Sequence, residues 1–108
     1  MYSSKIKGYT VFYRNQEKFH LTAREVFHDE EYQFNTDKRS PLIIYGGSYI
    51  GLSVLYHKLN HPDARILAFE PDPDNLEVLN KNIQANHLED VTVIPYALAG
   101  RAGTATLY

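Results

Sequence analysis

Two short stretches hold the residues best suited to chemistry. Gly46-Gly47-Ser48-Tyr49-Ile50-Gly51 follows directly on the apolar run Leu42-Ile43-Ile44-Tyr45, and Glu70 stands nineteen residues after Gly51. A strand that turns at once into a helix passes close to any ligand above it, and a Cβ at Gly47 or Gly51 would intrude there. A helix starting near Ile50 would aim its free amides at the same space, which favours a carboxylate or other anionic group. A carboxylate at the end of the following strand can accept hydrogen bonds from both hydroxyls of a ribose. Each feature alone has a plainer explanation, since glycines after strands are commonly turn formers and a single acidic residue can be a solvated strand end. Their order and separation, one strand apart on the same edge of a parallel sheet, point instead to a nucleoside site.

Other groups are less suited to chemistry. His57 and His61 are four apart on a predicted helix, a spacing compatible with a metal, but no third ligand accompanies them, so they are expected to be surface histidines near a helix C-terminus and no metal site is expected. Asp72 and Asp74 read as helix-start residues. The absence of cysteine removes disulfides, thiolate zinc sites and cysteine nucleophiles. A net charge of -2 offers no basic field for nucleic acid or an anionic membrane surface. No apolar run approaches the ~20 residues that span a bilayer, and Met1–Lys7 lacks the apolar stretch of a signal peptide, so a cytoplasmic protein is expected.

The elements that position these residues come from the periodicity. At 108 residues the chain has room for one core but not for a complete doubly wound enzyme of ordinary size. Eight of the fourteen aromatics lie within residues 1–34, which separates an aromatic-rich leader (1–40) from an α/β pattern (41–108). In the leader, Tyr9–Tyr13 and Lys18–Leu21 flank the polar stretch Arg14–Glu17, predicting a hairpin. Thr22-Ala23-Arg24-Glu25 has capping-box spacing and predicts a helix fraying by Glu31 or Tyr32. Leu42–Tyr45 reads as a strand covered on both faces. A helix over 50–60, a strand over 65–70, a helix opened by Asp72-Pro73 and a strand over 91–94 follow, with a last short strand over 104–108 after turns at Gly100 and Gly103. Two right-handed crossovers then give a parallel sheet ordered 3-2-1.

These residues resemble the FkbM-type methyltransferases over roughly residues 9–108. The first motif of that family is similar to Ile-Asp-x-Gly-Ala-Asn-Ile-Gly, against Ile44-Tyr45-Gly46-Gly47-Ser48-Tyr49-Ile50-Gly51 here. Another family motif, similar to Phe-Glu-Pro-Asp-Pro, is matched by Phe69-Glu70-Pro71-Asp72-Pro73, and Asn75-Leu76, Asn82-Ile83 and Tyr96-Ala97-Leu98 continue the likeness. The resemblance implies a truncated, Rossmann-like, doubly wound α/β sheet behind a hairpin-and-helix leader. It also implies S-adenosylmethionine as cofactor, held by Gly47, Ser48 and Gly51 along its methionine and sugar, with Glu70 on the ribose. Pro71 and Asp72 would lie beside the ribose and adenine, and Ala97 and Leu98 near the adenine. Tyr45, standing where the family has an acidic residue, belongs to the same set. The implied reaction is transfer of a methyl group to an acceptor oxygen.

Two departures bear on activity. Tyr45 and Tyr49 replace the acidic residue and the asparagine of the first motif, and the chain ends before the fourth strand and the Asp-x-Glu-Gly segment that resembles part of the family's active region. The acceptor is therefore unassigned. No later strand is left to pair with the far side of Leu42–Ile44, and such an edge invites association; the leader, the last strand or a second copy is expected to cover it. Two other readings share the pattern. One is an NAD-binding domain, whose Gly-x-Gly-x-x-Gly register neither Gly46 nor Gly47 completes with Gly51; the other is a non-catalytic remnant or binding module.

Overall fold

The computed structural model describes residues 1–98, so the expected turns at Gly100 and Gly103 and the strand over 104–108 lie outside the described residues. The elements are β1 (Tyr2–Ile6), β2 (Tyr9–Tyr13), α1 (Gln16–Ala23) running into a π-helical turn (Arg24–His28), β3 (Leu42–Tyr45), α2 (Leu52–Asn60), β4 (Arg65–Phe69), α3 (Pro73–Ala85) and β5 (Val91–Ile94). No helix among the described residues is long and apolar enough to cross a membrane.

The leader differs from the sequence-based expectation. Its hairpin is β1 with β2, antiparallel, pairing Ile6 with Tyr9 across Lys7 and Gly8. Both turn residues have positive φ (50° and 87°), the two-residue geometry that matches strand twist. Lys18–Leu21, expected as the second arm, lies inside α1. The cause is Asn15, whose side chain accepts the Lys18 N–H at 2.9 Å and caps the helix there. The Thr22–Glu25 spacing therefore falls within a continuous helical segment and starts nothing, and the helix closes with Asp29 N–H on the Arg24 carbonyl at 2.8 Å.

The second part of the chain follows its pattern closely. β3, β4 and β5 form one parallel sheet in that order, with Ile43, Ile66 and Val91 in register. Ile43, Tyr45, Ile66 and Ala68 are buried on one face in a cluster with Val54 of α2 and Leu79 of α3. Strand pleat sends Leu42, Ile44, Leu67 and Phe69 to the other face, where Leu42 is 52 % exposed and the rest are half-buried. The unbroken apolar run of β3 is thus covered on one face, not two, among the described residues. Within them β3 has β4 as its single sheet neighbour. The leader strands form a separate sheet, and it is the segment carrying Tyr32 and Phe34 that lines a groove of about 360 Å³ beside β3.

A second core joins the leader to the helices. Val11, Tyr13, Phe19 and Val26 pack with Leu52, Leu55 and Tyr56 of α2 and with Val78 of α3. β2 is also hydrogen-bonded to α3 by two asparagines. Asn86 accepts the Thr10 N–H at 2.9 Å and donates to its carbonyl at 2.8 Å. Asn82 does the same for Phe12, at 2.7 and 3.1 Å.

Candidate functional site

The bend after β3 is held almost entirely through its backbone. Ser48 N–H donates to the Phe69 carbonyl at 3.0 Å, continuing the β3–β4 contact past the end of the strand, and Gly51 N–H donates to the Ser48 carbonyl at 2.9 Å. Glu70, 6 % exposed, accepts the Tyr49 N–H on Oε1 at 2.7 Å and the Asp72 N–H on Oε2 at 3.0 Å. Its own N–H donates to Ile94 at 3.1 Å. The strand-end carboxylate and the glycine bend therefore meet across adjacent parallel strands, as their spacing predicts. Each carboxylate oxygen of Glu70 thus accepts one backbone N–H, and a carboxylate oxygen has lone pairs for two.

The two ends of the bend are built differently. Gly51 has φ +95°, caps α2, and a Cβ there would come within 2.8 Å of Leu79 Cδ1. A Cβ on Gly47 would meet nothing within 4 Å. Tyr49 between them holds φ +50°, left-handed backbone that side-chain-bearing residues seldom adopt. Ser48 is 2 % exposed and its Oγ has no hydrogen-bond partner among the described residues.

Tyr45 is directed away from this ledge. It is 6 % exposed, donates its hydroxyl to the Ser53 carbonyl at 3.2 Å, and lies against the His57 ring at 5.4 Å and 25°. The pleat that buries Ile43 carries Tyr45 to the helix-covered face, so its phenol packs in the core and not on the ledge where the resemblance had implied a cofactor contact. Asp72 caps α3 through Oδ1, accepting Asp74 N–H at 2.8 Å and Asn75 N–H at 3.4 Å, the role its sequence context predicts. Pro71 is exposed beside it. Ala97 and Leu98 follow the end of β5 on the same edge of the sheet, exposed and half-buried.

His57 is not a surface histidine. It is 4 % exposed, packed against Tyr45, Phe34 and Tyr56, with Nε2 2.7 Å from the Tyr32 carbonyl. Burial pushes its pKa below the ordinary imidazole value, outweighing the Tyr32 carbonyl, which favours the charged ring. Among the described residues no group of three or more metal-ligating side chains comes together.

The leader's contribution to this edge carries no local sequence signal. Arg14 reaches the Asp74 carbonyl at 3.1 Å and Glu77 at 2.6 Å. Lys18 Nζ sits 4.3 Å above the Tyr49 ring. Arg14, Lys18 and Tyr49, with Ile50, Asp72 and Asn75, line a groove of about 300 Å³ beside the bend. Residues more than thirty positions apart meet there, and only the packing of the leader on α3 brings them together.

The fold defines the class first. It is an α/β architecture with a parallel sheet, shared with solved structures in complex with AdoMet or MeSAdo. M. jannaschii TYW2 in complex with AdoMet aligns with a TM-score of 0.62 at 17 % identity, over 87 % of this chain and 42 % of that one. P. horikoshii TYW2 in complex with MeSAdo gives 0.58 at 18 %, over 88 % and 35 %. At such identities the likeness is one of fold. Two curated proteins are similar in sequence. Methyltransferase sdnD of Sordaria araneosa is 39 % identical over 85 residues, 78 % of this chain and 33 % of that protein. Methyltransferase 1 of Beauveria bassiana is 31 % identical over 68 residues, 63 % and 27 %. The chain thus spans about a third or less of the length of these relatives. No family model matches.

Proposed function

We propose that this chain is the S-adenosylmethionine-binding part of a methyltransferase, of the FkbM type and directed at an acceptor oxygen. The observation that carries the reading is the Glu70 carboxylate, held at the end of β4 with Oε1 2.7 Å from the Tyr49 amide of the bend. The ledge suits the sugar of the cofactor. Glu70 keeps free lone pairs for ribose hydroxyls, and the space beside Gly47 is open. Pro71 and Asp72 continue that edge towards an adenine, and Ala97 and Leu98, which follow the end of β5, would border it on the other side. When bound, S-adenosylmethionine supplies the electrophilic methyl group. The chain's own residues bind and orient it, which is most of what a protein contributes to such a transfer.

The methionine end is less well provided. Tyr45 is spent on the core, so no acidic side chain from β3 meets an ammonium group. That observation favours a second reading, a module that binds the nucleoside without catalysing transfer. The acceptor site is not assigned to any residue of this chain under either reading.

Calorimetric titration with S-adenosylhomocysteine and, separately, NADH tests the proposal. S-adenosylhomocysteine is expected to bind and NADH is not. Loss of one charge-assisted hydrogen bond corresponds to roughly 10- to 150-fold in affinity, and Glu70→Gln is expected to weaken S-adenosylhomocysteine within that range. Binding of NADH alone, or an affinity indifferent to Glu70→Gln in a folded variant, would overturn the assignment.

A further inference from the structure

α3 grips the bend at two places one turn apart. Leu79 fills the space that a Cβ on Gly51 would need. Three residues on, Asn82, 1 % exposed, donates from Nδ2 to the Ile50 carbonyl at 2.8 Å. The same amide group holds both backbone atoms of Phe12 in β2. A single buried side chain therefore satisfies backbone groups of the bend and of the leader hairpin, elements some forty residues apart in sequence.

The pairing works because two periods nearly coincide. Four helical residues rise ~6 Å and two strand residues span ~6.7 Å, so Asn82 faces Phe12 and Asn86 faces Thr10 in step. α3 thus acts as a strand partner for an edge of β2 that would otherwise present bare amides. The two asparagines differ in one respect. Asn86 makes its third bond to the Asn82 carbonyl at 2.7 Å, within its own helix, whereas Asn82 reaches the bend.

We propose that Asn82 is a positioning residue for the cofactor-binding bend, and that through it ligand binding at the bend and docking of the N-terminal hairpin strengthen one another. The inference rests on the reading of the ledge given above. A bend fixed at Ile50 presents the neighbouring Tyr49 amide to Glu70 without reorganisation when ligand arrives. A ligand that tightens the bend in turn holds the Asn82 amide, and with it Phe12. Such coupling is reciprocal by thermodynamic necessity.

Asn86→Leu is the control, because it removes an equivalent pair of bonds to β2, together with one to the Asn82 carbonyl, and leaves the bond to Ile50 in place. In hydrogen exchange without ligand, Asn82→Leu is expected to speed the Tyr49 and Gly51 amides about 10-fold, the equivalent of one lost hydrogen bond of ordinary strength, with Asn86→Leu leaving them within about 2-fold of the parent. The affinity for S-adenosylhomocysteine is expected to follow the same split. In the parent chain, S-adenosylhomocysteine is expected to slow exchange of Phe12 N–H more than that of Thr10 N–H, a readout that holds even if Asn82→Leu does not fold. Equal effects of the two substitutions on the Tyr49 and Gly51 amides, or equal slowing of Phe12 and Thr10, would overturn the role of Asn82. A parent chain that binds no S-adenosylhomocysteine would instead overturn the proposed function, with the ligand-free exchange still deciding whether Asn82 positions the bend.

Discussion

The Gly47 and Gly51 ends of one six-residue bend show how a backbone can be rigid and open at once. At Gly51 the chain is left-handed, the helix begins, and Leu79 occupies the place of a side chain. At Gly47 the backbone faces empty space. The same residue type is required at one end by the protein's own packing. At the other its requirement, on the proposed function, comes from a ligand. A substitution at each end should therefore fail in a different way.

The largest effect is expected from Gly51→Ala. A left-handed conformation costs a side-chain-bearing residue roughly 1–2 kcal/mol, and overpacking a filled core costs about 1–3 kcal/mol more. Leu79 is fully buried, so its Cδ1 can give way only by repacking within the core. Urea unfolding should show a loss of about 2–5 kcal/mol. A loss below about 1 kcal/mol would mean that the bend relaxes freely and that the contrast between its ends is unfounded.

Gly47→Ala should sharpen the comparison from the other side. With no neighbour to meet and no left-handed φ to hold, the added methyl is expected to change stability by no more than about 1 kcal/mol, in the stabilising direction if at all. Affinity for S-adenosylhomocysteine should nevertheless fall, because the methyl enters the space assigned to the ligand. An affinity unchanged by Gly47→Ala would place the nucleoside somewhere other than against this end of the bend.

The chain's two parts were unequally legible for a related reason. In the second part each element is marked locally. Short apolar runs read as strands, and Asp72-Pro73 starts α3 where the structure starts it. Glu70 met the bend because strand order and spacing alone bring those two ends together. The leader is organised by partners far away in sequence. β1 carries Ser3, Ser4 and Lys5 in place of an apolar alternation, and β2 is completed by Asn82 and Asn86 rather than by a strand. Asn15, a cap that resembles any polar turn residue, outweighed the more conspicuous spacing at Thr22. The direction of Tyr45 was legible in principle, since it shares the pleat of Ile43. The motif comparison drew it towards the ledge, where the alternation of β3 does not put it.

Tyr49 lies between the two ends, and it tests whether the bend stores strain. Its φ of +50° is tolerated by asparagine better than by other side-chain-bearing residues, because a short polar side chain bonds locally there. Its ring is half-buried against the leader core and lies under Lys18, contacts that both asparagine and alanine would forfeit. Comparing Tyr49→Asn with Tyr49→Ala therefore cancels most of the lost packing and leaves the backbone preference. Asparagine is expected to be the more stable by about 0.5–1 kcal/mol, a small difference set by the left-handed penalty. Equal stability of the two variants would mean that position 49 leaves the left-handed region once the ring is removed, so that the bend relaxes and stores no strain there.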